Sequence, residues 1–269
     1  MRCFVAVIIT MFMSKSPLGP RGLELTILGT GDAFASHGRF QSGYIIDSPN
    51  CRVLMEVGPT ALCSMKRLKF KPADIDVILI SHLHGDHFGG LPFLLLEYLY
   101  ESPRDKPLTI AGPMHLEERT WRLFRTMFPG TKPDLPRLLS KLRFVVIEPG
   151  SDKKIGPLRV RTIRTPHMKR DFSLALRIES AGKSIAFSGD SGWTEELVSF
   201  VAGADLFLCE CTYFDSAQLD FHMNYPKLDA NRSRFDVGRM VLTHIGREVL
   251  DRDREVKLEM AHDGMHIKV

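Results

Sequence analysis

Cysteine is scarce in this chain, with 5 among 269 residues at Cys3, Cys51, Cys63, Cys209 and Cys211, and no Cys-x-x-Cys pair. That spacing excludes a disulfide framework and argues against a thiolate metal cage, and it favours a reducing compartment, so a cytoplasmic location is expected. No apolar run approaches the roughly 18 residues of a membrane span, and no membrane association is expected. Arg2 followed by apolar Cys3 to Met13 has the outline of a secretory leader, but no Ala-x-Ala site follows and Ser14 to Gly22 reads as a loose connector. Residues 1–22 are therefore expected to lie outside the fold, as a weak leader or as the product of a start placed upstream of Met11 or Met13. The glycine pattern Gly29-Thr30-Gly31 has Phe34 where a dinucleotide fingerprint needs its third glycine, which excludes that cofactor fold. No internal repeat or linker divides the chain, so one α/β domain over 23–269 is expected.

Charge is also modest overall, at +4, but Arg137 to Arg170 holds ten Lys or Arg against only Glu148 and Asp152. Such asymmetry points to a small anionic substrate or to nucleic acid. Phe144 is the only aromatic residue strongly interleaved with these charges, and binding of single strands by stacking is not favoured.

What the chain does contain is Ser81-His82-Leu83-His84-Gly85-Asp86-His87, placed directly after the apolar run Ile75 to Ile80. An apolar run of that length reads as a buried strand that delivers its last residues to a sheet edge. His82 and His84, two apart, point to one side and can grip one cation, while Gly85 lets the backbone turn so that Asp86 and His87 face a second. Further ligands for a two-metal site should come from strand ends at the same edge. His167 follows Arg164-Thr165-Pro166, Asp190 follows Phe187-Ser188-Gly189, and His244 follows Val241-Leu242-Thr243.

The surrounding pattern supports a sheet protein. Leu23 to Leu28, Gly43 to Asp47 and Arg52 to Val57 read as an opening meander, with Thr60 capping a short helix through Leu68. Phe93 to Tyr100 reads as a buried helix, Leu108 to Ala111 as a strand, Glu117 to Phe128 as an amphipathic helix and Pro129 to Pro136 as a loop. Strands are expected at Arg143 to Ile147, Leu158 to Arg164, Leu174 to Ile178, Ser184 to Ser188, Leu206 to Cys211 and Met240 to Thr243, with a helix at Trp193 to Ala202 and a closing hairpin from Val256 to Val269. His115 is expected at the surface, and His262 and His266 to be structural.

Taken together, His82-Leu83-His84-Gly85-Asp86-His87, His167, Asp190 and His244 resemble the metallo-β-lactamase superfamily in order and strand context, from about Leu23 to Val269. The resemblance implies a four-layer αββα sandwich holding two divalent metal ions. His82, His84 and His167 would bind one, Asp86, His87 and His244 the other, with Asp190 bridging. Nitrogen-rich ligands favour Zn2+, and the shared oxygen ligands also admit Mn2+ or Fe2+. Leu28-Gly29-Thr30-Gly31-Asp32, Ser188-Gly189-Asp190-Ser191 and Leu242-Thr243-His244 are most similar to ribonuclease Z and the small cyclic phosphodiesterases. Glu210 in Cys209-Glu210-Cys211-Thr212 and His222 resemble the acid–histidine pair of ribonuclease Z. A homodimer is plausible by the same resemblance.

Three departures narrow this. Glu56 stands where the family's usual Asp supports the metal loop, and its longer arm is expected to alter that support. His222 is followed by Met223-Asn224 rather than Ser-Thr. The interval between His167 and Asp190 is too short for the protruding arm that many ribonuclease Z enzymes use on tRNA.

The expected function is thus a dinuclear metal-dependent phosphodiesterase, in which hydroxide bridging the metals attacks a small or cyclic phosphodiester in line. Asp86, Glu210 and His222 are the candidate catalytic residues, with His222 protonating the leaving oxygen and Glu210 orienting it. Arg39, Lys169 and Arg170 are candidates to hold the phosphate. A ribonuclease Z-like tRNA 3′ endonuclease, a thioester or lactone hydrolase, and a non-catalytic metal-binding module remain as alternatives.

Overall fold

The structure is a computed structural model that describes residues 22–131, 135–169, 171–215 and 220–269. The proposed extension and Arg170 therefore fall outside the described residues, apart from Gly22.

The chain opens as the expected meander, β1 (Glu24–Gly29), β2 (Gly43–Ser48) and β3 (Cys51–Val57), followed by α1 (Ala61–Arg67). Thr60 precedes that helix without capping it, because its hydroxyl donates to the Gln41 side chain and accepts from the Gln41 backbone, both at 2.9 Å. Then come β4 (Val77–Leu79), the helical turn α2 (Gly85–Phe88), α3 (Leu91–Tyr100), β5 (Leu108–Gly112), α4 (Leu116–Met127), α5 (Leu135–Leu139) and β6 (Leu142–Val146). The short α5 occupies part of the stretch read as loop, since Pro136 sits in its first turn where no amide donor is needed.

The second half runs β7 (Asp152–Ile155), β8 (Leu158–Thr165), β9 (Ser173–Ser180), β10 (Lys183–Phe187), α6 (Glu195–Val201), β11 (Leu206–Cys211), α7 (Tyr225–Asn231), β12 (Met240–Ile245), α8 (Arg247–Asp251) and β13 (His266–Lys268). β7 was not expected from its charged sequence; it is an edge strand whose Asp152, Lys153 and Lys154 face solvent.

Two sheets result, ordered β13-β1-β2-β3-β4-β5-β6 and β12-β11-β10-β9-β8-β7. Between them lies a core that includes Leu25, Ile27, Val53, Leu79, Val160, Leu176, Phe187 and Val241. The outer face of the first sheet packs α1, α3 and α4 through Leu54, Ile78, Ile110, Leu94, Leu95 and Phe124; that of the second packs α6, α7 and α8 through Phe207, Cys209, Leu197, Leu228 and Val249. This is the αββα sandwich. β8 shows the logic locally, with Leu158, Val160 and Thr162 facing in and Arg159 and Arg161 more exposed, as expected of an antiparallel strand with one face toward solvent.

The tail does not form a hairpin. Met260 bridges to Leu242 in the second sheet while β13 pairs with β1 in the first, so this segment ties the two sheets together. The basic stretch is dispersed over α5, β6, β7 and β8, and Arg159 and Arg161 pair with Asp152 and Glu179. Among the described residues no helix is long and apolar enough to cross a membrane.

Candidate metal centre

The strand ends converge as their sequence positions require. His82 and His84 follow β4, Asp86 and His87 sit on α2, His167 follows β8, Asp190 follows β10, and His244 is the penultimate residue of β12. Gly85 has an ordinary negative φ and open space beside it, so the loop does not depend on its missing side chain. The close approach is at Gly58, where a Cβ would lie 2.6 Å from the Asp86 carbonyl oxygen.

Two groups of four potential ligand atoms form, His82, His84, His167 and Asp190 in one, and Asp86, His87, Asp190 and His244 in the other, each within 4.8 Å of one another. In the first group, His167 Nε2 is 3.0 Å from His84 Nδ1, and both His82 and His167 Nε2 are 3.7 Å from Asp190 Oδ2. In the second, His87 Nε2 is 3.2 Å from both Asp86 Oδ2 and Asp190 Oδ1, and His244 Nε2 is 3.2 Å from Asp86 Oδ2 and 3.5 Å from Asp190 Oδ2. Ligands about 2.0–2.2 Å from a tetrahedral zinc lie roughly 3.3 Å apart, so these spacings suit a cation in each group. The buried His82 Nε2, His87 Nε2 and Asp190 Oδ1 have no hydrogen-bond partner within the chain, which is costly unless a cation is meant to face them.

The opposite ring nitrogens are held by fixed partners. His87 Nδ1 donates to Glu56 Oε2 at 2.7 Å, and Glu56 Oε1 accepts from the Ser81 amide at 2.7 Å. Both Glu56 oxygens are thereby engaged, and Glu56 itself holds a left-handed backbone at φ 60°. His167 Nδ1 donates to the Phe221 carbonyl at 2.9 Å, and Ser81 Oγ lies 3.0 Å from His82 Nδ1. Thr212 Oγ1 donates to Glu210 Oε2 at 2.8 Å, so at 2.9 Å it accepts from His244 Nδ1, which leaves Nε2 turned to the cation side. His244 also carries a left-handed backbone, at φ 48°. Such partners fix ring orientation and raise ligand basicity.

His222 and Glu210 meet beside this centre. His222 Nδ1 donates to Glu210 Oε1 at 2.7 Å and lies 4.0 Å from Asp190 Oδ2. Glu210 Oε1 also accepts from the Ser191 amide at 2.7 Å, so the carboxylate is fully engaged as an orienting group. Gly192 lets the chain carrying His222 close down, since a Cβ there would lie 1.6 Å from the Asp220 carbonyl oxygen.

Electrostatics divide the histidines. Burial drives the pKa values of His82, His84 and His167 down, which favours their neutral form. Burial opposes the charged form of His87 and His244 too, but Asp190 and Asp86 outweigh it, holding His87 well above its usual value and His244 at about 9. The same pairs keep Asp86 and Asp190 ionised against their burial. For His222, burial is again outweighed, here by the charge and hydrogen bond of Glu210, and its pKa rises.

The candidate phosphate residues do not gather here in the same way. Arg39 Nη1 donates to Thr30 Oγ1 at 2.8 Å and to the Ala261 carbonyl at 2.7 Å, which commits it to bracing its loop. Lys169 is exposed just after His167, and Arg170 lies outside the described residues. Thr212, Phe221 and Gly192 were not singled out from the sequence; only the family-like Glu-x-Thr pattern at Glu210 and Thr212 hinted at the first. His115 is exposed at the start of α4, 3.4 Å from Glu118.

Comparison with known proteins agrees with this architecture. The metallo-β-lactamase fold protein YhfI from Bacillus subtilis superposes with a TM-score of 0.72 at 20% identity, covering 91% of this chain and 99% of that one. The short form of human tRNase Z superposes equally well, at 0.72 and 25% identity, over 91% and 99% of the two chains. In sequence, a ribonuclease Z of Clostridium novyi is 26% identical over 277 residues, covering 83% of this chain and 89% of its own. Fold and site thus define a metallo-β-lactamase-fold hydrolase related to ribonuclease Z. Within that class the chain belongs to the family described as Anti-Pycsar protein Apyc1, whose model matches residues 23–264.

Proposed function

We propose that residues 23–269 form a single-domain, dinuclear metal-dependent phosphodiesterase acting on a small or cyclic phosphodiester. The observation that carries this reading is the His222–Glu210 pair beside the two ligand groups, with His222 Nδ1 2.7 Å from Glu210 Oε1 and 4.0 Å from Asp190 Oδ2. Thioester hydrolysis releases a thiolate that needs little protonation, whereas expulsion of an alkoxide from phosphorus gains from a separate cationic acid.

His82, His84 and His167 would hold one divalent ion, and Asp86, His87 and His244 the other, with Asp190 shared; zinc suits this donor set best, and manganese or iron is compatible with it. Such a pair, when bound, supplies Lewis acidity and hydroxide near neutral pH. The chain's own contribution is positional. Glu56, Thr212 and the Phe221 carbonyl set three imidazoles, and Glu210 holds a proton on His222 Nδ1 and favours the imidazolium. The His222 Nε2–H is then available to the leaving oxygen.

Ribonuclease activity is the second reading, supported by the ribonuclease Z relative. Against it, β9 and β10 between His167 and Asp190 are joined by the tight turn Ala181-Gly182, with no arm to hold a folded RNA. Lys169 remains the candidate at the rim for phosphate, and any contact with nucleic acid or a second copy of the chain follows from resemblance alone.

His222→Ala tests the assignment. Metal content should stay at two per chain while turnover of alkyl phosphodiesters falls about 10²–10⁴-fold, and diesters with good leaving groups suffer much less. Equal loss on both substrate types, or none, would remove His222 from the acid role.

A further inference from the structure

Arg104, in the loop that follows α3, is a charged side chain held in the interior, only 3% exposed. Its Nη1 donates to the Ala73 carbonyl at 3.1 Å, and its Nη2 to the Ile75 and Pro107 carbonyls at 2.6 and 3.2 Å. The guanidinium also lies over the Tyr98 ring, 4.8 Å from its centroid, and its Nε has no acceptor. Every one of these partners is neutral. Among the described residues no carboxylate pairs with Arg104. The only other buried arginine among them, Arg177, has Glu179 at 3.1 Å. A buried charge without a counter-charge is costly, so the position calls for an anion that the chain itself does not supply.

Arg104 lines a recess of about 80 Å³ between the end of α3 and α5, together with Tyr98, Pro103, Arg137 and Lys141. No acidic residue lines it. The half-buried Lys141 has no partner for its amine among the described residues. Asp105 approaches Arg137 at 3.9 Å, but both side chains are largely exposed and the pair is loose. With Asp105 offsetting one of the three cations, two positive charges are left to be matched. Of the basic stretch that stands out in the sequence, Arg159 and Arg161 are taken up by Asp152 and Glu179, whereas Arg137 and Lys141 are turned to this recess. The metal loop lies at the other end of the same helix. α3 runs from Leu91, just past Asp86 and His87, to Tyr100, roughly 15 Å at 1.5 Å per residue.

We propose that this recess binds a dianionic phosphate group, either inorganic phosphate or the terminus of a small phosphate monoester. Arg137 and Lys141 donate to its oxygens, and Arg104 is the fixed positive charge behind them. A guanidinium fork and an ammonium match a group with several oxygens and two charges. A carboxylate would leave one cation unmatched, and chloride has no directed acceptors for the fork. The recess is far below the roughly 300–1,000 Å³ of pockets that enclose a whole small molecule, so only the phosphate enters and any organic part stays outside. The site is independent of the phosphodiesterase reading.

The test uses the zinc-loaded full chain and limited acetylation by acetic anhydride, read by peptide mass spectrometry. Lys141 then reports the recess by itself, apart from any phosphate held by the metals. Inorganic phosphate at roughly ten times its Kd should slow acetylation of Lys141 about tenfold and leave the exposed Lys154 unchanged. Sodium chloride of equal ionic strength should protect neither. Arg137→Gln should raise the phosphate concentration needed about 10–100-fold, the loss of one charge-assisted hydrogen bond, with metal content unaltered. Arg104 is left intact, because the loop it clamps depends on it. Methyl phosphate protecting at lower concentration than inorganic phosphate assigns the recess to monoester termini, and the reverse order assigns it to the free ion; both uphold the site. No protection of Lys141, equal protection by chloride or of Lys154, or protection undiminished in Arg137→Gln would overturn it.

Discussion

Glu56→Gln should weaken metal binding by 10–100-fold, mainly in the ligand group containing His87. Glu56 is fully buried and accepts two hydrogen bonds of 2.7 Å, from His87 Nδ1 and the Ser81 amide. Glutamine matches the shape but has one acceptor oxygen, so in either amide orientation one buried N–H is left facing another donor. An unsatisfied buried donor costs about 1–3 kcal/mol, and loss of the carboxylate behind a metal-binding imidazole typically lowers affinity 10–100-fold, or about 1.4–2.7 kcal/mol. The two estimates overlap, which is why the substitution should separate metal affinity from gross folding. Competition against a chromophoric chelator, fitted to two sites, measures the affinities, and elemental analysis after dialysis measures retention. His82 follows Ser81 directly, so the other group should change less rather than not at all. Two affinities within twofold of wild type, in a protein with a normal unfolding transition, would refute the reasoning.

Three other outcomes are expected. Asp190→Ala removes the only residue common to both ligand groups and should reduce metal content to one ion per chain or fewer, whereas full retention of two would exclude a bridging role. Zinc uptake by metal-free protein at pH 7 should release protons, because His87 and His244 are held protonated by Asp190 and Asp86 despite burial, while His82, His84 and His167 are already neutral. Since the His244 pKa is raised to about 9, its contribution to metal-free stability is fully present below the unfolded value of roughly 6.5 and is lost as pH rises toward 9. Calorimetry in buffers of different ionisation enthalpy reads the release, and buffer-independent heats at pH 7 would contradict it.

The parts of this fold that could be read from sequence are those governed by short-range pattern. Apolar runs such as Ile75 to Ile80 and Leu206 to Cys211 mark strands because each is buried on both faces, and the polar residue that follows must then emerge at a sheet edge. The tail was harder because Met260 and His266 pair with different sheets, a choice made by tertiary packing rather than by the turn at Gly264. Thr60 looked like a cap because threonine often is one, yet the nearby Gln41 takes its hydroxyl instead. At the site, residues with unusual chemistry stood out, whereas the partners that aim them did not. A backbone carbonyl at Phe221 and a hydroxyl at Thr212 carry no distinctive sequence signal. Phe34 entered the sequence reading only as a missing glycine, although it is the loop residue held most openly toward solvent.

The sharing of Asp190 has a consequence for the order in which the centre can come into being. As the chain is synthesised from its N-terminus, the group of His82, His84, His167 and Asp190 is complete in composition once β10 has been made. The second group must wait for β12 to deliver His244, and its neighbour Thr243 joins the two sheets through a 2.7 Å hydrogen bond to Tyr44. Two ions bound as proposed would thus find their ligand sets completed at different points along the chain, the later one only when a strand tied to the first sheet through Tyr44 is in place.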